Sequence, residues 1–365
     1  MVLSTSLFHS CAPLKRQHFM PANEQATQLQ QLLYYASLAG SSHNTQPWLV
    51  QIIDKEHFYL FADTTRTLEV VDPHHRELFM SLGAFLENLT VAAEAYGYKA
   101  HITFGEDLSV TKMIASVYLE KSIEPTEQKR KFLLNLLESR CTLRGRFSTS
   151  PITAKDSKYL VRDTQGTQLF SNNTEMGKFI GTNTLKAYRQ QNFKEAVQEE
   201  LAQWVRFSNK SVRQHRDGLT TAGMGITGMV GRVMQLFFTP KSVKGKAFVN
   251  KGIKKTAEQV AHCGGWVVIS TSGDEPADWI EAGRIYERIN LHCRTLHIGM
   301  HPMNQLIEEE NFKTEAQAKL PAGAYIQFVA RVGYVPHYPQ PVSVRRPVTN
   351  FCQPFRKEGN EVTGS

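Results

Sequence analysis

The stretch Ser41-Ser42-His43-Asn44-Thr45-Gln46-Pro47-Trp48 decides how the rest of this chain is read. It follows a run in which Leu29, Leu32, Leu33 and Ala36 recur at helical spacing, and it precedes an apolar, strand-like stretch from Leu49 to Ile53. Gly40 and the two serines end the helix, Pro47 pushes Gln46 into an extended conformation, and the chain becomes a strand. Hydroxyls, an amide pair and an indole thus occupy a turn that gives them no hydrophobic role. Such groups can flank a flat heteroaromatic ligand and hydrogen-bond to it. The plainer alternative is a capped helix end with a packed Trp.

Working outward, the turn is followed by Asp63-Thr64-Thr65-Arg66, by Asp72-Pro73-His74-His75-Arg76-Glu77-Leu78, and by Ser81-Leu82-Gly83-Ala84 opening a long helix. That order resembles the nitroreductase superfamily of flavin proteins, and within it the Acg-like branch, whose members carry two nitroreductase-type halves in one chain. The resemblance runs from about Gln28 to Val348 and is tightest over the first block. It implies an α+β, nitroreductase-like fold: two related halves, each a mixed sheet flanked by helices, forming a pseudo-dimer in one polypeptide. The expected boundaries are a flexible tail over 1–22, a first half over 23–124, a second half over 125–350 with a lid insertion at about 219–250, and a C-terminal tail over 351–365.

Hydrophobic periodicity agrees with alternating strands and helices. Helices are expected over 24–38, 76–96, 126–139, 174–206 and 277–298, and strands over 49–53, 57–62, 98–104, 112–119, 265–270 and 324–332. A weak internal repeat is also visible. Gly83 and Glu87 in one long helix match Gly283 and Glu287 in another, and each helix follows an apolar strand and an acidic turn.

Composition narrows the class. With 365 residues, 41% apolar and 21% charged, the chain can bury a substantial core as a globular protein. Cys11, Cys141, Cys263, Cys293 and Cys352 are odd in number and include no Cys-x-x-Cys pair, which argues against a disulfide framework and a zinc site and for the reducing cytoplasm. The net charge of +8 is concentrated: Arg232, Lys241, Lys244, Lys246, Lys251, Lys254 and Lys255 lie between Leu219 and Ala257 with no acid among them. Such a block can attract phosphates, anionic substrates or a membrane surface, or can simply be a solvated lysine face. Aromatics do not interleave it in a stacking pattern, so nucleic acid is disfavoured, and so is a membrane.

Two arginine elements carry the binding chemistry. Arg140-Cys141-Thr142-Leu143-Arg144 sets two guanidiniums around a hydroxyl at a helix end, a spacing that can fork onto one phosphate. Ser343-Val344-Arg345-Arg346-Pro347 supplies a late basic pair. The resemblance links them, since nitroreductases hold the FMN phosphate with an early Arg-x-Ser-x-Arg-like element and a late basic pair. It implies one FMN per chain, with its phosphate on Arg140, Thr142, Arg144, Arg345 and Arg346 and its ring against Ser41, Ser42, Asn44 and Gln46. Backbone amides of Met303, Asn304 and Gln305, after Pro302, are expected near the reactive edge. Threonine at 142 replaces the usual serine and keeps the hydroxyl.

Gly223-Met224-Gly225-Ile226-Thr227-Gly228 fits G-x-G-x-x-G, but no acidic residue stands about twenty positions on, so it is not a dinucleotide fingerprint. With Met229, Met234, Phe237 and Phe238 it resembles a flap, and the Acg-like branch implies a lid over the flavin. No residue is expected to act as catalytic acid or base, and His43, His74 and His75 have no metal spacing. The function expected is an FMN-dependent oxidoreductase of nitroreductase type, passing electrons from NAD(P)H to a nitroaromatic or quinone acceptor. The alternative is a lidded, FMN-sequestering protein with little turnover. A monomer with an internal pseudo-dimer, or a homodimer, is compatible with either.

Overall fold

The computed structural model describes Leu14 and residues 27–354. Helix α1 (Gln28–Ser37) starts at a reciprocal cap, in which Thr27 Oγ1 accepts from Gln30 N and Gln30 Oε1 accepts from Thr27 N. Strands β1 (Trp48–Ile52) and β2 (His57–Ala62), the long α2 (Arg76–Ala95), β3 (Tyr98–Phe104), β4 (Met113–Lys121) and α3 (Glu127–Ser139) follow. Then come α4 (Ala154–Leu160), β5 (Thr167–Ser171), α5 (Glu175–Asn192), α6 (Glu195–Trp204), β6 (Val205–Arg206), α7 (Asn209–His215), β7 (Leu219–Thr220), α8 (Gly228–Phe237) and α9 (Lys246–Ala261). The chain ends through β8 (Gly265–Thr271), α10 (Pro276–Thr295), β9 (Ile298–Pro302), α11 (Gln305–Glu308), α12 (Glu310–Gln317), β10 (Tyr325–Tyr334) and β11 (Cys352–Pro354).

Two sheets of this α+β fold share one topology. The first has the order β11-β1-β2-β4-β3 and the second β5-β8-β10-β9. In each, a strand leads into a long helix, the next strand lies two places away, and a third fills the gap between them. The expectation of two mixed sheets holds for the first only, where β11 runs parallel to β1. All pairs in the second are antiparallel, because no returning strand is added beside β5.

Helices α2 and α10 join the sheets. A Cβ on Gly83 would stand 1.9 Å from the Ile280 carbonyl oxygen, and one on Gly283 would stand 2.0 Å from that of Met80. The backbones therefore touch at a reciprocal crossing that only glycine admits. Side chains from both helices and both sheets enter one core: Leu82, Phe85, Ile285 and Ile289 pack with Trp48, Val267 and Phe328. By length and composition α2 could cross a membrane, but most of it is buried at this crossing.

The structure departs from the sequence expectations in three places. The helix expected over 174–206 breaks at Phe193, which is 67% exposed, and Lys194 caps α6 in an extended conformation. The C-terminal tail expected from 351 begins instead as structure: Phe351 is fully buried, and Val50, Gln51 and Ile52 pair with Cys352, Gln353 and Pro354. Gln46 is not extended but left-handed, with φ 56°. Except for Leu14, the N-terminal tail expected over 1–22 lies outside the described residues, as does Cys11. Among the described residues, Cys263, Cys293 and Cys352 are free thiols.

Candidate functional site

The turn after α1 is held in a costly conformation. His43, Asn44 and Gln46 all have positive φ (47°, 56° and 56°), a region that non-glycine residues populate sparsely and that persists only where surroundings enforce it. The enforcement comes from distant residues. Asn44 Nδ2 donates to the carbonyls of Gly218 (3.1 Å) and Val344 (3.2 Å), and its Oδ1 accepts from Arg345 (2.9 Å). Gln46 Nε2 donates to Arg216 O at 3.0 Å, while Gln46 Oε1 accepts from Arg346 N at 2.8 Å. Ser41 Oγ accepts from Gln46 N, and Ser42 Oγ donates to Glu77 at 2.6 Å. Trp48 packs on Phe85 at 5.2 Å between ring centres and is fully buried, which fits a packing role.

All the sequence elements expected at the site do converge here, yet the arginines divide the work unevenly. Arg140 is 2% exposed and forms a 2.9 Å ion pair with the fully buried Glu287, while its other nitrogen donates to Leu38 O. Arg345 donates to the carbonyls of Ser37, Leu38 and Ala39. Arg346 is divided between Asp63 (3.0 Å) and Trp48 O (2.8 Å). A phosphate at any of these three would have to displace a protein acceptor. Their present work is to clamp the helix end and the turn.

Arg144 differs. Its contacts among the described residues include one donated hydrogen bond, to Gly223 O at 2.7 Å, and no carboxylate. Burial lowers its pKa with no acid to restore it. Lys255 lies close by, with Nζ donating to the carbonyls of Met224 and Gly225, and its pKa too is lowered by burial, then by Arg144 and Arg331. Arg331, fully buried over the Phe147 ring, donates to Gly145 O, Gln259 O and His262 O, and burial with Arg144 nearby lowers it to about 9. Burial and these three cations hold His301 neutral, well below the ordinary imidazole range. Arg144, Lys255 and Arg331 pack closely, Glu258 offsets part of the charge at Lys255, and the positive excess centred on Arg144 suits an anion. Thr142 stands beside it, hydrogen-bonded to Tyr286.

Across the turn is the opposite charge. Glu77 Oε1 accepts from Asn304 Nδ2 at 2.8 Å, and Glu77 is also hydrogen-bonded to Glu308, which accepts from Gln191. Two carboxyl groups in hydrogen-bond contact hold a proton between them. Burial tends to raise Glu77, but Arg76, Ser42, Glu308 and Asn304 outweigh it and keep it below the usual range, whereas burial and Glu77 push Glu308 well above. Asp72 caps α2 through Glu77 N and Leu78 N and is raised to about 7 by burial and then by Glu77. His43 sits between the two charge groups: burial and Arg144 lower it, Glu77 raises it, and its Nδ1 is buried without a partner. Met303 N is used by Val329 O, Asn304 Oδ1 accepts from Val329 N, and Gln305 opens α11.

The segment closing over the turn is 216–225 rather than the whole of 219–250. Gly218 exchanges backbone and side-chain bonds with Asn44, Arg216 meets Gln46, Gly223 meets Arg144, and Asp217 is gripped by Arg66 and Arg206. Lys255, Arg331, His301, Tyr286, Glu77 and Glu308 escaped the sequence reading as site residues. Glu77 and His301 lay inside motifs picked out in the sequence, and Lys255 inside its basic block. No metal-holding group of His, Cys, Asp and Glu occurs among the described residues.

No protein-family model and no curated protein matches the chain. Solved structures do. A nitroreductase-like family protein from Bacillus cereus aligns at 11% identity over 62% of this chain and 95% of its own, with a TM-score of 0.33. The FMN-dependent nitroreductase NfnB from Mycobacterium smegmatis, solved with NADPH, aligns at 10% over 62% and 99%, with a TM-score of 0.38. A nitroreductase candidate from Anabaena variabilis aligns at 11% over 88% and 91%, with a TM-score of 0.37. At such identities and scores these likenesses carry no functional inference.

Proposed function

We propose that this chain is an FMN-dependent oxidoreductase of nitroreductase type, with one flavin held between two duplicated halves. The observation that carries the reading is the meeting of a strained, polar turn with a cationic group centred on Arg144, which has no carboxylate partner among the described residues. Arg144, Lys255 and Thr142 fit a phosphate, with Arg331 adding field, because Glu258 offsets only part of the charge, at Lys255. Ser41, Ser42, Asn44 and Gln46 are assigned to the ring, and the backbone of Asn304 and Gln305 to its reactive edge, the Met303 amide being committed to Val329 O. Arg140, Arg345 and Arg346 hold the turn in shape. Bound there, FMN would supply the hydride chemistry between NAD(P)H and a nitroaromatic or quinone acceptor. The shared sheet order and the reciprocal Gly83–Gly283 crossing support duplication, and the unbridged Cys263, Cys293 and Cys352 fit the cytoplasm. With the pseudo-dimer inside one chain, a monomer suffices.

A second reading has its own support. Segment 216–225 bonds the turn and Arg144 directly, so it favours a protein that sequesters FMN beneath a lid. Visible absorbance of the purified protein before and after anaerobic NADPH separates the two. Bleaching of a flavin spectrum is expected. A spectrum that persists with NADPH and with NADH would favour sequestration, and no flavin after incubation with FMN would overturn both.

A further inference from the structure

The part of the insertion that does not touch the site is its most unusual surface. In α8, Met229, Val230, Val233, Leu236 and Phe237 are 72%, 49%, 43%, 62% and 75% exposed, while Met234 anchors the helix on Val205, Phe207 and Val243. At about 100° per residue the five exposed side chains fall in one arc of about 120°, with Arg232 at its edge. A contiguous apolar strip of this kind marks an interaction site.

Charge indicates the partner. Arg232, Lys241, Lys246, Lys251 and Lys254 are exposed and form no ion pair among the described residues, and no acid occurs from Leu219 to Ala257. Lys244 alone of the exposed bases is paired, with Glu199 at 2.7 Å. Two copies meeting on this face would bring like charges together, which opposes a dimer. Aliphatic side chains such as Val230, Val233 and Leu236 offer nothing to a nucleic-acid backbone. The Leu14 amide reaches Asn209, which also accepts from Gln235, but Gln235 lies about 200° around the helix from Val233, so that contact leaves the strip open.

We infer that α8, together with the exposed bases that follow it in sequence, forms a docking surface for an anionic lipid bilayer, with the apolar arc entering the headgroup–acyl boundary and those bases meeting lipid phosphates. An amphipathic helix with a basic border binds in the plane of the interface in this way, each base near the surface contributing about 1 kcal/mol. This inference is independent of the flavin reading.

The test is flotation of the full chain with phosphatidylcholine vesicles, with and without phosphatidylglycerol. Flotation is expected with the anionic vesicles only, and it should weaken as salt is raised. Leu236→Ser with Phe237→Ser should abolish it without changing the melting temperature, since both side chains are exposed. Lys241→Gln, Lys246→Gln and Lys251→Gln together should weaken it on the order of a hundredfold. No flotation with anionic vesicles, or flotation unchanged by both sets of substitutions, would overturn the inference. A Leu236/Phe237 variant that turned a dimer into a monomer without affecting lipid binding would also overturn it, by making the face an interface between copies.

Discussion

Glu87 and Glu287 occupy matching places on the two crossed helices and do different work. Glu87 is held at the rim by Arg284 and Arg288, at 3.2 and 2.7 Å, with both arginines about one quarter exposed. Glu287 is fully buried, holds Arg140, and accepts from Gly40 N at the entrance to the polar turn. One crossing thus carries, at one end, a buried carboxylate whose two arginines reach solvent and, at the other, a wholly buried pair. The difference teaches that two helices crossing at a pair of glycines need not carry matching charge pairs.

The largest effect should separate these two ion pairs. Glu287→Gln leaves the buried Arg140 charge unpaired and should cost about 3–5 kcal/mol, whereas Glu87→Gln, with its partners partly solvated, should cost about 1 kcal/mol or less. Denaturant unfolding of both variants checks this. Equal losses would break the asymmetry.

The crossing itself should behave symmetrically. Gly83→Ala and Gly283→Ala each drive a methyl into a carbonyl of the opposite helix and should each cost about 3 kcal/mol. A large difference between them would mean that the backbone at one end yields.

A smaller effect sharpens the assignment of roles. Arg144→Met removes a half-buried charge that has no carboxylate partner among the described residues, so the apo-protein should melt at the same temperature or higher, while FMN binds about 10–100-fold more weakly. A drop in apo-protein stability comparable to that of Glu287→Gln would return Arg144 to the scaffold.

The smallest effect is one of pH. The folded pKa of Asp72, about 7, lies above its ordinary 3.8, so the protonated form is favoured by folding. Its contribution is full below about 4 and is lost as pH rises towards about 7. Melting temperature measured across that window should fall less steeply in Asp72→Asn than in the parent.

How much of this was legible in the sequence depends on how far apart the partners lie. The polar turn, Arg144 and Asn304 stand in short motifs and could be read directly. The two helices that cross could be picked out by one shared spacing, Gly83 with Glu87 and Gly283 with Glu287. Lys255 could not be told from its lysine neighbours, since only folding turns it towards Met224 and Gly225. Arg331 sits in an apolar strand pattern, and nothing local says that its guanidinium turns back to Gly145. Glu77 and Glu308 meet across the two halves. The break at Phe193 carries neither glycine nor proline to announce it. Arg140, Arg345 and Arg346 were legible as a binding set but not as clamps, because their acceptors (Glu287, Asn44, Asp63 and several backbone carbonyls) are distant in sequence.

The central claim, a site built once between two related halves, is tested most directly by the stoichiometry of FMN binding to the full chain, read by calorimetric titration. One FMN per chain is the predicted result, with the signal lost or strongly weakened in Arg144→Met. Two per chain, or none, would contradict it.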